Sequence, residues 1–250
     1  MTATSRAHSF NAAAAQYAAN RPSYPPALFD AVEDLAGRPL KGARVVDVGA
    51  GTGIATAALY ARGARVVAVE PGDGMTAEFR RALPVVPIVR GDGNALPIAD
   101  ASADFLTYAQ SWHWTDPERS VPEAVRVLRP GGALALWWNV SDRAVPWIAA
   151  QEARIQRRFG AGTGAHGSAE RTHGLSGAVD FVRHKVSWSR RVPLDTHLAN
   201  LGSRSTFLVL GEEGTADILA EERAELTRVF PDGVVEEVYT VDLLLAHRPS

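Results

Sequence analysis

Val45-Val46-Asp47-Val48-Gly49-Ala50-Gly51-Thr52-Gly53-Ile54-Ala55-Thr56 decides the fold. Val45, Val46 and Val48 make the short apolar run of a buried strand, glycines at every second residue interrupt it, and Ile54 begins a helical pattern. A strand, a glycine turn and a helix in that order form the place where an α/β protein receives a nucleotide-like ligand. A residue without Cβ accepts positive φ and lets the ligand lie against main chain.

The spacing separates two ligand classes. A dinucleotide turn follows G-x-G-x-x-G, which requires glycine at position 54, where this chain has isoleucine. Asp47-x-Gly49-x-Gly51-x-Gly53 instead resembles motif I of the class I S-adenosylmethionine (SAM) dependent methyltransferases. The charge logic agrees: pyrophosphate is an anion suited to a helix N-terminus, whereas SAM carries a sulfonium and an ammonium, and Asp47 precedes the turn. Ala50 belongs to the same stretch.

The next strand, Arg65-Val66-Val67-Ala68-Val69-Glu70-Pro71, ends in an acid 23 residues after Asp47 (70 − 47). A carboxylate there accepts ribose hydroxyls in βαβ nucleotide sites, of NAD and SAM alike; the plainer alternative is a solvated strand end. Pro71 closes the strand and Met75 is placed to cover one face of an adenine. In Arg90-Gly91-Asp92-Gly93-Asn94-Ala95-Leu96-Pro97, the resemblance implies that Asp92 and the following Gly93 and Asn94 hydrogen-bond the adenine edge, with Asp92 on the exocyclic amine. Arg129-Pro130-Gly131-Gly132 repeats the family's L-[KR]-P-G-G turn before a fifth strand.

At 250 residues and 46% hydrophobic composition, the chain is long enough for one substantial core and reads as one domain over 1–250. A cap segment at 1–40, a SAM-binding core at 41–140 and a C-terminal half at 141–250 carrying an acceptor-side insertion divide it. A net charge of −2 leaves no electrostatic footprint for nucleic acid, and the cluster from Arg154 to Arg158 reads as a solvated helix face. Cysteine is absent, which removes disulfides, thiolate metal sites and a cysteine nucleophile. The seven histidines show no ligand-like pairing, so no metal is expected. No signal peptide or membrane span is evident, which points to a cytoplasmic protein; a monomer or homodimer is expected.

Periodicity predicts helix 26–36, strand 43–48, helix 53–62, strand 65–70, helix 73–82, strands 86–90 and 103–109, helix 117–127, strand 133–138 and helix 145–159. Strand 181–190, a helical segment over 193–230 and strand 235–247 complete the chain. Alternating strands and helices imply a doubly wound α/β fold with ligand at the strand carboxyl ends. The resemblance implies a Rossmann-like, mainly parallel seven-stranded sheet with an antiparallel strand, 235–247, at its edge. It also places the helical N-terminal and 193–230 segments over the site. The stretch 160–177 lacks an apolar period and reads as a surface loop or lid.

Phe10-x3-Ala14-x2-Tyr17-x3-Arg21-Pro22-x-Tyr24-Pro25 resembles the opening of a small-molecule branch that includes enzymes like trans-aconitate methyltransferase. The resemblance covers about residues 8–140 and implies that Tyr17, Arg21 and Tyr24 lie near the methionine carboxylate or the acceptor. The alternative is an N-terminal helix packed through its aromatics, with Arg21 satisfied by carbonyls. Gln110-Ser111-Trp112-His113-Trp114 follows the fourth strand, where the family places groups beside the transferring methyl. Gln110 and Trp112 are cofactor contacts in this reading, and a tryptophan face stabilises a sulfonium. His113 is a candidate general base for a hydroxyl or amine, or a neutral positioning residue. Of Trp137 and Trp138, one is expected in the core and the other at the pocket. Arg204, in Leu201-Gly202-Ser203-Arg204-Ser205-Thr206-Phe207, suits an acceptor carboxylate, or is a surface arginine.

These readings converge on SAM-dependent methylation of a small molecule, first O-methylation of a carboxylic acid or natural product, with N- or C-methylation of a secondary metabolite as the alternative. An NAD-dependent oxidoreductase and a non-enzymatic SAM-binding regulatory subunit are the rivals from other classes.

Overall fold

The computed structural model describes residues 14–159 and 180–249; Phe10 and the expected loop at 160–177 lie outside the described residues. The elements run α1 (Ala14–Asn20), α2 (Pro26–Ala36), β1 (Arg44–Val48), α3 (Ile54–Ala61), β2 (Arg65–Glu70), α4 (Asp73–Ala82), β3 (Ile88–Arg90) and β4 (Ala103–Ala109). A 3-10 turn at Trp112–Trp114 follows, then α5 (Pro117–Val127), β5 (Leu128–Ser141), α6 (Pro146–Phe159), β6 (Val182–Pro193), α7 (Leu194–Gly202), α8 (Ser205–Val229) and β7 (Val234–His247).

The strands form one seven-stranded sheet in the order β3-β2-β1-β4-β5-β7-β6. β1 pairs in parallel with β2, with Val45 opposite Val66 and Asp47 opposite Ala68, and with β4, with Asp47 opposite Thr107. β2 and β3, and β4 and β5, are also parallel. Because β1 is covered on both faces, it reads as an uninterrupted buried run from Val45 to Val48 rather than as an alternation. The antiparallel strand is β7: Gly131 N–H donates to Arg248 O and Asp142 N–H to Val238 O, so β7 descends as β5 rises. With β6 it forms the antiparallel pair at the sheet edge.

Several expected boundaries move by a few residues, among them β3, which starts at Ile88, and β6, which runs to Pro193; two other differences have clear physical reasons. β5 begins at Leu128 rather than 133, because the Arg-Pro-Gly-Gly stretch is itself paired: Gly131 N–H donates to Arg248 O, and Arg248 N–H donates to Gly132 O. The 193–230 segment is broken into α7 and α8 at Ser203 and Arg204, and Gly211, at φ 74° and ψ 178°, kinks α8.

The described residues divide into two compact units. Residues 23–139, 180–186 and 241–249 form one, and 14–22, 140–159 and 187–240 the other. The first holds the glycine turn among fully buried Val45, Leu59, Val69, Phe79, Phe105 and Leu106. The second is built on two apolar clusters: Ile155, Leu201, Phe207 and Ile218, and Leu194, Leu198, Leu226 and Val235. No helix among the described residues is long and apolar enough to cross a membrane.

Candidate functional site

The glycine turn connects β1 to α3, and Gly49, Gly51 and Gly53 all adopt positive φ, at 65°, 58° and 92°. Their surroundings differ. A Cβ on Gly49 would stand 2.5 Å from Cβ of Ser111, and one on Gly53 would stand 2.7 Å from Cδ1 of Leu83. Gly51 has nothing within 4 Å of that position, so its main chain is the open face of the turn, while Gly49 and Gly53 are fixed by packing. Ala50 is 7% exposed and its N–H donates to Val69 O.

Asp47 is not part of that open face. It is 0% exposed, with Oδ2 accepting from Thr56 Oγ1 at 2.6 Å and Oδ1 from Thr107 Oγ1 at 2.8 Å. The carboxylate therefore ties β1 to α3 and β4, directly beneath the turn. Burial pushes its pKa up to about 6, against the lowering effect of the two hydroxyl donors. This corrects the simple picture of an acid facing the ligand's cation: Asp47 shapes the turn through main-chain position.

Glu70 ends β2 as expected, and both oxygens are oriented by backbone. Gly51 N–H donates to Oε2 at 2.9 Å and Gly72 N–H to Oε1 at 2.8 Å. Burial raises its pKa, and these two bonds oppose the rise. Each oxygen keeps a second lone pair for a hydroxyl. Pro71 is exposed, and Met75, in the first turn of α4, is buried. Asp92 is exposed and accepts from Asn94 N–H through Oδ1 at 2.8 Å. Gly93 is buried, and a Cβ on it would reach Thr115 Cγ2 at 2.9 Å. The Asn94 side chain holds the start of α5, its Oδ1 accepting from Asp116 N–H at 2.7 Å, so its amide oxygen serves the fold.

Past β4, Gln110 takes positive φ, 58°, an uncommon conformation for a side-chain-bearing residue and one that concentrates at functional sites. It is held there by its own N–H on Trp137 O at 2.8 Å, and its Nε2 lies 3.4 Å from the Tyr24 hydroxyl. Ser111, unmarked by sequence reasoning, locks the same corner: its Oγ donates to Val48 O at 2.6 Å, and its bulk explains why position 49 is glycine. Trp112 is 1% exposed, edge-on to Tyr108 at 4.8 Å, which puts it in the wall behind the strand ends. Trp137 and Trp138 are both buried. Trp137 packs edge-on against Tyr24, whereas Trp138 Nε1 donates to His113 Nδ1 at 3.3 Å. A histidine accepting at Nδ1 carries its neutral-state proton on Nε2.

In the second unit, Arg21 lies 4.8 Å above the Tyr17 ring, and its Nη2 donates to Ser203 O at 3.2 Å. The N-terminal signature thus meets the residue next to Arg204. Arg204 is itself engaged, its Nη1 donating to Glu152 Oε1 at 2.6 Å. Tyr24 falls in the first unit, beside Gln110 and Trp137. Glu152 and Asn200, which stand next to this junction, lie in amphipathic helices where no local spacing marks them.

Gly51 leaves its backbone uncovered beside the fixed Glu70 carboxylate, an arrangement that suits the nucleoside of SAM. A profile of the methyltransferase domain family matches residues 46–136. An uncharacterized methyltransferase of Mycobacterium tuberculosis is 38% identical over 200 residues, covering 79% of this chain and 76% of that protein. A demethylmenaquinone methyltransferase of Clavibacter sepedonicus is 38% identical over 102 residues, covering 39% of this chain and 42% of that one. Among solved structures, a protein from Anaeromyxobacter dehalogenans assigned as a type II methyltransferase superposes with a TM-score of 0.67 at 25% identity, over 91% of this chain and 97% of that one. By its glycine turn, its sheet order and these relatives, the chain belongs to the class I SAM-dependent methyltransferases.

Proposed function

We propose that the enzyme transfers the methyl of SAM to a small carboxylic acid, giving a methyl ester. The observation that carries the reading is the Trp138 to His113 hydrogen bond. With Nδ1 accepting from Trp138 and Nε2 protonated, neutral His113 is a donor, which suits an acceptor that arrives ionised. A carboxylate does so at neutral pH, whereas an alcohol or amine needs a proton removed. The Clavibacter relative, by its name, methylates demethylmenaquinone, which supports a small molecule as acceptor.

The residues of this chain divide the work. Gly51 and Glu70 would hold the nucleoside, Met75 and Asp92 the adenine, and Tyr24 and Gln110 the end that carries the sulfonium. SAM, when bound, supplies an electrophilic methyl. Much of the rate enhancement in such a displacement comes from holding the reacting atoms within about 3–3.5 Å in a water-poor site. The buried Trp112 and Trp137 exclude water behind the strand ends, and the strained Gln110 fixes the corner. Screening small acids, phenols and amines for release of S-adenosylhomocysteine tests the proposal. It predicts turnover of acids with base-labile ester products; turnover confined to phenols or amines would contradict it.

A further inference from the structure

We propose that the Glu123–Arg126 pair on α5 positions the loop from Asp92 to Leu96 for an adenine, and thereby sets the preference for a base with an exocyclic amine. The proposal rests on the reading of Asp92 as the adenine contact and adds the residues that place it. Loop, helix, glycine turn and Glu70 all belong to the unit that includes residues 23–139.

The sheet brings the loop to the cradle. Arg90 stands opposite Glu70 in the register of β2 and β3, and Gly91 N–H donates to Glu70 O at 3.4 Å. Asp92 therefore follows closely on the neighbour of the ribose-side carboxylate. A Cβ on Gly93 would stand 3.4 Å from Val48 Cγ1 and 3.3 Å from Tyr108 Cε1, which lays the loop across the ends of β1 and β4. A Cβ on Gly91 would stand 2.7 Å from Pro97 Cδ, so the two ends of the loop touch.

At Leu96 the helix takes hold. Leu96 N–H donates to Glu123 Oε2 at 2.7 Å, and its carbonyl accepts from Arg126 Nη2 at 3.0 Å. One ion pair thus satisfies both main-chain groups of a buried residue. Arg126 Nη1 donates to Ile98 O at 2.8 Å. The two side chains also fix each other, with Arg126 Nε donating to Glu123 Oε1 at 2.9 Å and Nη2 to Oε2 at 2.8 Å, a fork of set direction. The Arg126 guanidinium keeps the Glu123 carboxyl below the usual carboxylate range, so it stays ionised and only accepts.

An i, i+3 ion pair on a partly exposed helix face contributes little by itself. This one reaches main chain 27 to 30 residues away. Within the loop, Asn94 N–H donates to Asp92 Oδ1 at 2.8 Å and Ala95 N–H to Asp92 O at 3.1 Å. A shift of Leu96 therefore carries Asp92 with it. The adenine amine would take Oδ2, the oxygen that Asn94 does not use.

The test measures, by titration calorimetry on the full chain, the affinities of S-adenosylhomocysteine and S-inosylhomocysteine, whose base carries a carbonyl where adenine has its amine. The wild type should prefer the adenosyl ligand about tenfold or more, the factor expected for one hydrogen bond to a charged group. Arg126→Met and Glu123→Ala should each cut that ratio about fivefold or more by weakening the adenosyl ligand, while the inosyl ligand stays within about twofold. Arg126→Lys keeps the charge but lacks the fork; it should give an intermediate ratio, and it stands in for Arg126→Met should that protein fail to fold. Equal weakening of both ligands would assign the pair to general stability and overturn the proposal, as would an unchanged ratio in folded variants. Asp92→Ala separates this inference from the reading beneath it. If Asp92→Ala keeps the wild-type ratio, or the wild type shows no preference, Asp92 is not the amine's partner and both fall. If Asp92→Ala abolishes the ratio while the Glu123 and Arg126 variants retain it, only the positioning role falls.

Discussion

Trp138 Nε1 donates to His113 Nδ1 across 3.3 Å, and this one bond sets the tautomer of the histidine beside the expected methyl-transfer site. His113→Gln should therefore keep kcat within about threefold, since the amide oxygen can still accept from Trp138, whereas loss of a true general base costs about 10²–10⁴-fold. Steady-state kinetics on the first acceptor found will show which; a hundredfold fall in kcat would restore the general-base role and favour a hydroxyl or amine acceptor.

Glu70→Ala should lower S-adenosylhomocysteine affinity roughly tenfold to hundredfold, through loss of charge-assisted bonds of about 1.5–3 kcal/mol. The two glycine N–H groups that orient the carboxylate face the turn and the start of α4, so water can replace their acceptor. Unchanged affinity in a folded variant would mean that Glu70 serves only its own backbone.

The glycine turn gives a matched pair of substitutions. Gly49→Ala adds a methyl 2.5 Å from Ser111 Cβ at positive φ and should lower the melting temperature strongly. Gly51→Ala meets no atom within 4 Å, carries only the left-handed penalty of about 1–2 kcal/mol, and should fold yet lose cofactor affinity. Thermal unfolding and calorimetry on both proteins separate the two roles; equal effects on folding and binding would refute the division.

The strand, glycine turn and helix at 45–56, and the acid at Glu70, were legible because their chemistry is local: a turn of required φ, a strand end, a fixed spacing. The break of the 193–230 segment at Ser203 and Arg204 was not, because neither residue type marks a helix end by itself, and the kink at Gly211 rests on a lone glycine that a helical pattern tolerates. Asp47 was recognised by its position but misread in its contacts, since Thr56 and Thr107 reach it only once α3 and β4 are placed. Ser111, Glu152 and Asn200 carried no signal for the same reason. Glu152 meets Arg204 across 52 residues of chain, a relationship created by tertiary packing and by no periodicity.

Asp47 also makes a pH prediction. Its folded-state pKa, raised to about 6 from 3.8, means the folded protein binds this proton more tightly than the unfolded chain. Stability from this group is present below about pH 4 and declines as pH rises to about 6, by about 3 kcal/mol for a shift of this size. Asp47→Asn should lack the decline. Urea titrations of both proteins at pH 4, 5, 6 and 7 should therefore converge in relative stability toward acid pH and separate toward neutral, with the variant gaining. A constant difference across that range would contradict the assignment.

The central claim is that the turn from Asp47 to Gly53 receives SAM, and calorimetric titration of the wild-type chain with S-adenosylhomocysteine and, separately, with NAD tests it most directly. The account predicts saturable binding of S-adenosylhomocysteine at one site per chain, lost in Gly51→Ala, with no measurable heat from NAD. NAD binding more tightly than S-adenosylhomocysteine, or S-adenosylhomocysteine binding unaffected by Gly51→Ala, would contradict it.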